Sequence, residues 1–459
     1  MKKRLIAMAV AMIATTGFAQ IFTSTTQPEK TYKYRVYLHD KADCGYSVEN
    51  PEAFLSQKAI ERRKKFNLAV DEHDLPVSAN YIAAIQKTGA RVCNVSKWNN
   101  TAVVEVKKEK TMDKVSRLAF VDSVKLVYSS PKSITLPSVR DNVTDRTEKR
   151  EDFYGAGKRQ IELINGQKLH EAGFKGEGMT IAVIDGGFHN ADKIAGLASV
   201  NILGTKNFVR PDMDTYLDGS HGMMVLSCIG ANVPNVLVGT APGASFYLLQ
   251  SEDGATEFPV EEDNWCAAVE FADSLGVDVI TSSLGYNTFD DVSLNHTHAT
   301  LDGVTAINSR SASLAASRGL MVLNSAGNSG NKPWRKIGTP ADGKDMLAVG
   351  AVRADGYATS FTSQGFAADG RVKPDAMAMG QSCRAFDTDG SITHVDGTSF
   401  SCPILCGAVT CLMQAFPDKR PELIIDAIHR AGDRYDNPDE IYGYGIPDMW
   451  KAYEILKNQ

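Results

Sequence analysis

Residues 181–187 read Ile181-Ala182-Val183-Ile184-Asp185-Gly186-Gly187: four apolar residues in a row, then a carboxylate, then two glycines. A short unbroken apolar run bounded by turn residues suits a strand buried on both faces, as in a parallel sheet, rather than the alternating strand of a half-solvated one. The same texture recurs at 246–249, 277–281, 320–323 and 346–351, while 265–275, 306–318 and 421–431 carry apolar residues at helical spacing. Buried strands alternating with helices predict an α/β fold, a mostly parallel sheet sandwiched between helices, over residues 152–459. A last helix is expected near 448–456.

Toward the amino terminus the texture changes. Residues 34–38 alternate as a strand does, 51–66 and 79–88 suit helices, and 91–96 with 101–106 form a hairpin around Lys97-Trp98-Asn99-Asn100. A helix near 111–119 and a strand at 124–128 complete a small α+β unit of ferredoxin-like order, residues 32–130. Residues 131–151 are polar, charged and poor in large apolar side chains, the composition of an exposed linker open to nicking.

Residues 1–19 place Lys2, Lys3 and Arg4 before an apolar run over 5–13 and end in Gly17-Phe18-Ala19. This is the pattern of a secretory signal peptide, too short for the roughly 20 residues of a membrane span, and it predicts export to the periplasm or medium. A net charge of -6 over 459 residues makes no case for nucleic acid or an anionic membrane. The one basic run, Arg62-Arg63-Lys64-Lys65, is expected on a solvated helix face. The eight cysteines are too sparse for a disulfide scaffold; Cys402, Cys406 and Cys411 read as buried thiols, and Cys44 with Cys93 is the one pairing worth testing.

In an open α/β sheet, ligands bind beyond the carboxyl ends of strands. Asp185 sits at such an end, and Asn328 follows the run 320–323 within Ser325-Ala326-Gly327-Asn328-Ser329. His221 and Ser399 each precede an apolar stretch of helical texture, in Ser220-His221-Gly222 and Gly397-Thr398-Ser399. Singly, each is an ordinary turn or cap residue. Together they supply an orienting carboxylate, a base titrating near neutrality, a nucleophile at a helix amino end and an amide donor for an oxyanion.

These segments, with Ser283-Leu284-Gly285 and in the order Asp, His, Ser, resemble the diagnostic motifs of the subtilisin-like serine proteases, most closely those exported by the Bacteroidetes group. The resemblance implies a serine endopeptidase in which Asp185 orients His221, His221 deprotonates Ser399, and Asn328 with the Ser399 N–H holds the oxyanion. It implies that Ser283, Leu284 and Gly285 pair with extended protein or peptide substrates, and that Ala326, Gly327 and Ser329, with Gly338 nearby, wall a pocket. It casts residues 32–130 as an inhibitory pro-domain acting in cis until the linker is cut; a permanently attached accessory domain is the alternative. Two departures are Met223, where the family has Thr, and Phe400-Ser401, where it has Met-Ala. His221 and Asn328 together point to neutral or alkaline activity.

No cofactor is required for this chemistry and a monomer is expected. The acidic runs Ser251-Glu252-Asp253 and Glu261-Glu262-Asp263-Asn264 carry oxygens that suit calcium, but solvated loops with no metal are the expected reading. Two rivals stand beside the protease. One is a catalytically silent relative that only binds peptides; the other is a metal hydrolase built on Asp185, His189 and His221, which would leave Ser399 and Asn328 unemployed.

Overall fold

The computed structural model describes residues 30–130 and 150–459. The expected signal peptide and most of the linker lie outside the described residues. In the amino-terminal unit, β1 (Tyr32–Leu38), β2 (Arg91–Ser96), β3 (Thr101–Val106) and β4 (Val121–Ser129) form an antiparallel sheet in the order β2-β3-β1-β4. Helices α1 (Gln57–Lys65), α2 (Ala79–Lys87) and the single turn α3 (Met112–Val115) connect them, which gives the expected ferredoxin-like order. The helix expected over 51–66 is broken: a 3-10 turn at Pro51–Ala53 ends before Ser56, whose side chain accepts from the Ala59 N–H and caps α1.

The larger unit holds a seven-stranded sheet. Its strands are β5 (Thr180–Asp185), β6 (Asn201–Asn207), β7 (Ser245–Gln250), β8 (Val279–Ser282), β9 (Met321–Ser325), β10 (Leu347–Val352) and β11 (Ala376–Met379). They run parallel in the order β11-β10-β9-β8-β5-β7-β6. Two edge strands, β6 and β11, were not expected from the sequence.

Side-chain alternation splits the core between the two faces. Ile181 and Val183 of β5 face one cluster with Met223 and Val225 of α4 (His221–Gly230) and Cys402, Leu405 and Val409 of α7 (Thr398–Ala415). Helices α8 (Pro421–Ala431) and α9 (Met449–Lys457) close that layer. Ala182 and Ile184 face the other, with Trp265 and Ala268 of α5 (Val260–Leu275) and Ala312 and Ala315 of α6 (Ile307–Ser317). Among the described residues α7 is the one helix long and apolar enough to cross a membrane, and it is buried through almost its whole length against the sheet. All eight cysteines are free, including Cys44 and Cys93, and Cys402, Cys406 and Cys411 are buried as expected.

The amino-terminal unit is seated on α5 and α6. Trp98, 3% exposed, belongs to the same apolar cluster as Trp265 and Ala312. Its β1 Arg35 grips Asp263 with two bonds of 2.6 and 2.8 Å, Nε to Oδ1 and Nη2 to Oδ2. Ser96 and the Lys97 and Trp98 N–H groups donate to Glu270 at 2.5, 2.7 and 3.2 Å. Two expectations fail at this interface. Arg62 and Arg63 do not lie on a solvated face: they are 7% and 1% exposed and both bind Asp273, whose charge permits their burial. Likewise Glu261, Glu262, Asp263 and Asn264 form the buried first turns of α5 rather than a solvated loop, and Arg35 accounts for the middle two.

Candidate active site

Asp185 ends β5, fully buried, and His221 opens α4. Two backbone turns bring them together. Gly187 (φ 136°) and Gly219 (φ 64°) lie against each other's loops so closely that a Cβ on either would overlap the opposing backbone carbonyl. The His189 N–H donates to the Gly219 carbonyl at 2.8 Å and the Gly222 N–H to the Gly187 carbonyl at 3.0 Å, which fixes the register of the two loops. His221 Nδ1 then lies 2.8 Å from Asp185 Oδ1, an oxygen that also accepts the Gly186 N–H at 2.7 Å. Burial lowers the imidazole's pKa, but the charge and hydrogen bond of Asp185, with the charge of Glu252, outweigh it and leave the group raised above its ordinary value.

Ser399 is the second residue of α7, preceded by Gly397 at φ 145°, ψ 155°, a conformation that favours glycine. The Ser399 hydroxyl donates to the Ser283 carbonyl at 3.3 Å, a long bond, and the Ser283 hydroxyl donates to the Ser399 carbonyl at 2.8 Å. A turn about χ1 frees that hydroxyl for another partner. The side chain of Asn328 is oriented by Thr398: its Oδ1 accepts the Thr398 N–H at 2.9 Å and the Thr398 hydroxyl at 3.0 Å, while Thr398 Oγ1 accepts the Gly327 N–H at 3.1 Å. With Oδ1 occupied, the amide presents its N–H donors, and Nδ2 is 3.5 Å from where a Cβ on Gly397 would stand. Thr398 was not singled out in the sequence, although its place beside the serine was the available signal.

Residues 283–285 continue past the end of β8 without a ladder of their own, with Leu284 half-buried and Gly285 exposed. Asn324 Nδ2 donates to the Leu284 carbonyl at 2.8 Å and stiffens this edge. Opposite it, Gly327 and Gly338 are brought together by a 3.4 Å bond from the Gly338 N–H to the Ala326 carbonyl, and Ser329 is nearly buried. The Ala326 side chain packs with Leu301, Ile337, Ala341 and Ala348, so its methyl belongs to the core. Of the two departures, Met223 is fully buried core, and the Phe400 ring lies 5.7 Å from the His221 ring.

Asp185, His189 and His221 do not converge as metal ligands. His189 Nδ1 meets the Tyr216 carbonyl at 3.2 Å, and among the described residues the one trio with ligand atoms within 4.8 Å of one another is Glu252, Glu257 and Glu261. Burial pushes all three of those carboxyls up, helped by the charges of Asp185 and Asp253 at Glu252 and by the charge of Glu252 at Glu257 and Glu261; Glu252 reaches about 7 and Glu257 about 8.

An oriented imidazole, a serine at a helix amino end and a fixed amide on one rim of a parallel sheet can support acyl transfer through a serine nucleophile. Comparison with known proteins agrees. The Subtilase family profile matches residues 176–445, and that of the Peptidase S8 propeptide domain, Bacteroidota, matches residues 33–144. The chain belongs to the subtilase family and is a serine endopeptidase. It is 27% identical to Subtilisin E of Bacillus subtilis over 383 residues, 82% of this chain and 86% of that protein. It is 29% identical to Subtilisin of Bacillus pumilus over 298 residues, 64% of this chain and 97% of that one. The crystal structure of MycP1 with the N-terminal propeptide removed shares the fold at a TM-score of 0.50 and 22% identity, covering 64% of this chain and 96% of that one.

Proposed function

We propose that this chain is an exported endopeptidase that cleaves protein and peptide substrates with Asp185, His221 and Ser399 as its triad and Asn328 as an oxyanion donor. The observation that carries the reading is the 2.8 Å bond from His221 Nδ1 to Asp185, which leaves Nε2 for the nucleophile. His221 takes the Ser399 proton as Oγ attacks the scissile carbonyl, then returns it to the leaving amine; water repeats the sequence on the acyl-enzyme. The Asn328 amide and the Ser399 N–H receive the oxyanion, helped by the positive end of α7. An extended substrate adds as a strand along residues 283–285, with its side chain before the cut between that edge and Gly327, Ser329 and Gly338. The chemistry needs no cofactor or metal.

Residues 32–130 serve as an inhibitory pro-domain that leaves once the linker is cut. The cut falls before Arg150, because from there the chain is tied to the peptidase body: the Arg150 N–H donates to the Asn235 carbonyl at 2.6 Å and the Ala156 N–H to the Val236 carbonyl at 2.7 Å. Support for export comes from the composition of residues 1–19. The enzyme acts as a monomer.

The test is intact mass spectrometry of the secreted protein before and after a fluorophosphonate, beside Ser399→Ala. One adduct on Ser399, absent in the variant, with loss of the amino-terminal unit only in the active form, is the expected result. No adduct on folded protein freed of its pro-domain would mean that the triad does not assemble, and the peptide-binding reading would replace this one.

A further inference from the structure

The loop after β7 is laced to the turn after β5. The Ser251 N–H donates to the Asp185 carbonyl at 3.0 Å, and Gln250 Nε2 donates to the Gly186 carbonyl at 3.1 Å. A Cβ on Gly186 would stand 3.5 Å from the Cβ of Glu252, so the Glu252 side chain rises directly beside the Asp185–Gly186 turn. Its far end is held as well. The hydroxyl of Tyr286, a fully buried residue, donates to Glu252 Oε2 at 3.0 Å. The Tyr286 backbone is locked in turn, its N–H donating to the Thr339 carbonyl at 2.8 Å and its carbonyl accepting the Thr339 N–H at 3.0 Å.

We propose that Glu252 is a positioning residue for the base: its carboxylate, anchored by Tyr286 beside the Asp185–Gly186 turn, adds a second negative charge to the field of the His221 imidazole and helps set the pH at which the enzyme becomes active. His221 is bonded to Asp185 from β5, has the uncharged ring of Phe400 from α7 at 5.7 Å, and feels the charge of Glu252 from the β7 loop. The groups around Glu252 are Tyr286, Asp185, His221 and Asp253, together with Glu257 and Glu261, whose carboxylate oxygens lie within 4.8 Å of its own, so its principal charged neighbours are acidic apart from His221 itself. Burial pushes the Glu252 carboxyl up to about 7, the Tyr286 bond pulls it down, and the charges of Asp185 and His221 act in opposite senses. The charge of Glu252 and that of His221 therefore act on each other. An ionised Glu252 favours the imidazolium, so it raises the pH below which the base is lost.

The inference rests on the reading of His221 as the general base. The experiment measures kcat/KM from pH 5 to 9 with an uncharged peptide substrate, at constant ionic strength and with EDTA present, on self-processed enzyme expressed as the full chain. Glu252→Gln removes the charge and keeps the shape. Its acid limb is expected to move down by roughly half a unit to one unit, with a smaller change at the plateau than on the limb. Tyr286→Phe removes the bond that keeps Glu252 ionised and is expected to move the limb the same way by less; if Glu252→Gln does not accumulate, this variant decides. An unmoved limb, or an equal loss at every pH, overturns the proposal. If His221→Ala is inactive while the limb stays put, this inference alone fails; if His221→Ala keeps its activity, the reading of the site fails with it.

Discussion

Asp273 is the most exacting place to test how the amino-terminal unit is held. It is fully buried on α5, and its Oδ1 meets Arg62 Nη2 at 2.5 Å while its Oδ2 meets Arg63 Nη2 at 3.0 Å and Lys97 Nζ at 3.3 Å. Burial alone would raise its carboxyl, but the charges of Lys97, Arg63 and Arg62 outweigh burial and hold it well below the usual carboxylate range. Asp273→Asn keeps the volume and deletes the one charge these cations share. Removing one partner from a buried ion pair costs about 3–5 kcal/mol. Arg63 retains Asp74 at 2.8 Å, and Arg62 retains the Val277 and Arg318 carbonyls at 2.6 and 3.1 Å, which argues for the lower end. A loss of about 3 kcal/mol is about 150-fold in affinity. The assay is inhibition of the mature enzyme by its excised pro-domain, wild type against Asp273→Asn. Because the folded-state pKa is depressed, the contribution is present above the ordinary carboxylate range and lost only as pH falls through the depressed value. The ratio should therefore be flat from pH 5 to 9. The kcat/KM of the mature enzyme should not change, since Asp273 lies toward the amino ends of the strands and Asp185 at a carboxyl end. A weakening of less than tenfold would refute the argument and assign the docking to apolar contacts such as Trp98.

Asn328→Ala removes an oxyanion donor whose orientation Thr398 fixes, so kcat should fall by about 10²–10³ with KM little altered, read by steady-state kinetics on a peptide substrate. Thr398→Val leaves Asn328 Oδ1 with the backbone N–H alone, and a smaller loss in kcat, about tenfold, is expected in the same assay. The acid limb of kcat/KM should lie above the ordinary histidine value of about 6.5, because a raised pKa keeps His221 protonated to higher pH and activity is lost as pH falls through it. Removing divalent metal with EDTA should leave fluorophosphonate labelling of Ser399 intact; loss of labelling would place a metal at Glu252, Glu257 and Glu261 or elsewhere in the working enzyme.

Much of the fold was legible because it is written in short-range pattern. The apolar runs marking β5, β7, β8, β9 and β10 identify strands buried on both faces, and the hairpin over 91–106 was read to the residue. The residues of the candidate site were legible for the same reason: each sits at a strand end or helix start where local sequence shows it. What stayed hidden depended on partners far along the chain. Strand β6, with the exposed edge composition of Asn201–Asn207, and β11, whose Ala and Met residues favour helices, become strands because neighbours in the sheet offer them hydrogen bonds. Arg62 and Arg63 read as solvated because the charge they share, Asp273, lies more than 200 residues away and only folding brings it into contact, while Asp74 serves Arg63 alone. The sequence by itself therefore determined most of the elements and the family, and pointed to candidate reactive groups. Tertiary structure alone decided which charges are buried in pairs, how Thr398 turns the Asn328 amide, and that Glu252 stands beside the Asp185–Gly186 turn, since long-range electrostatics and hydrogen bonding leave no periodic trace in the chain.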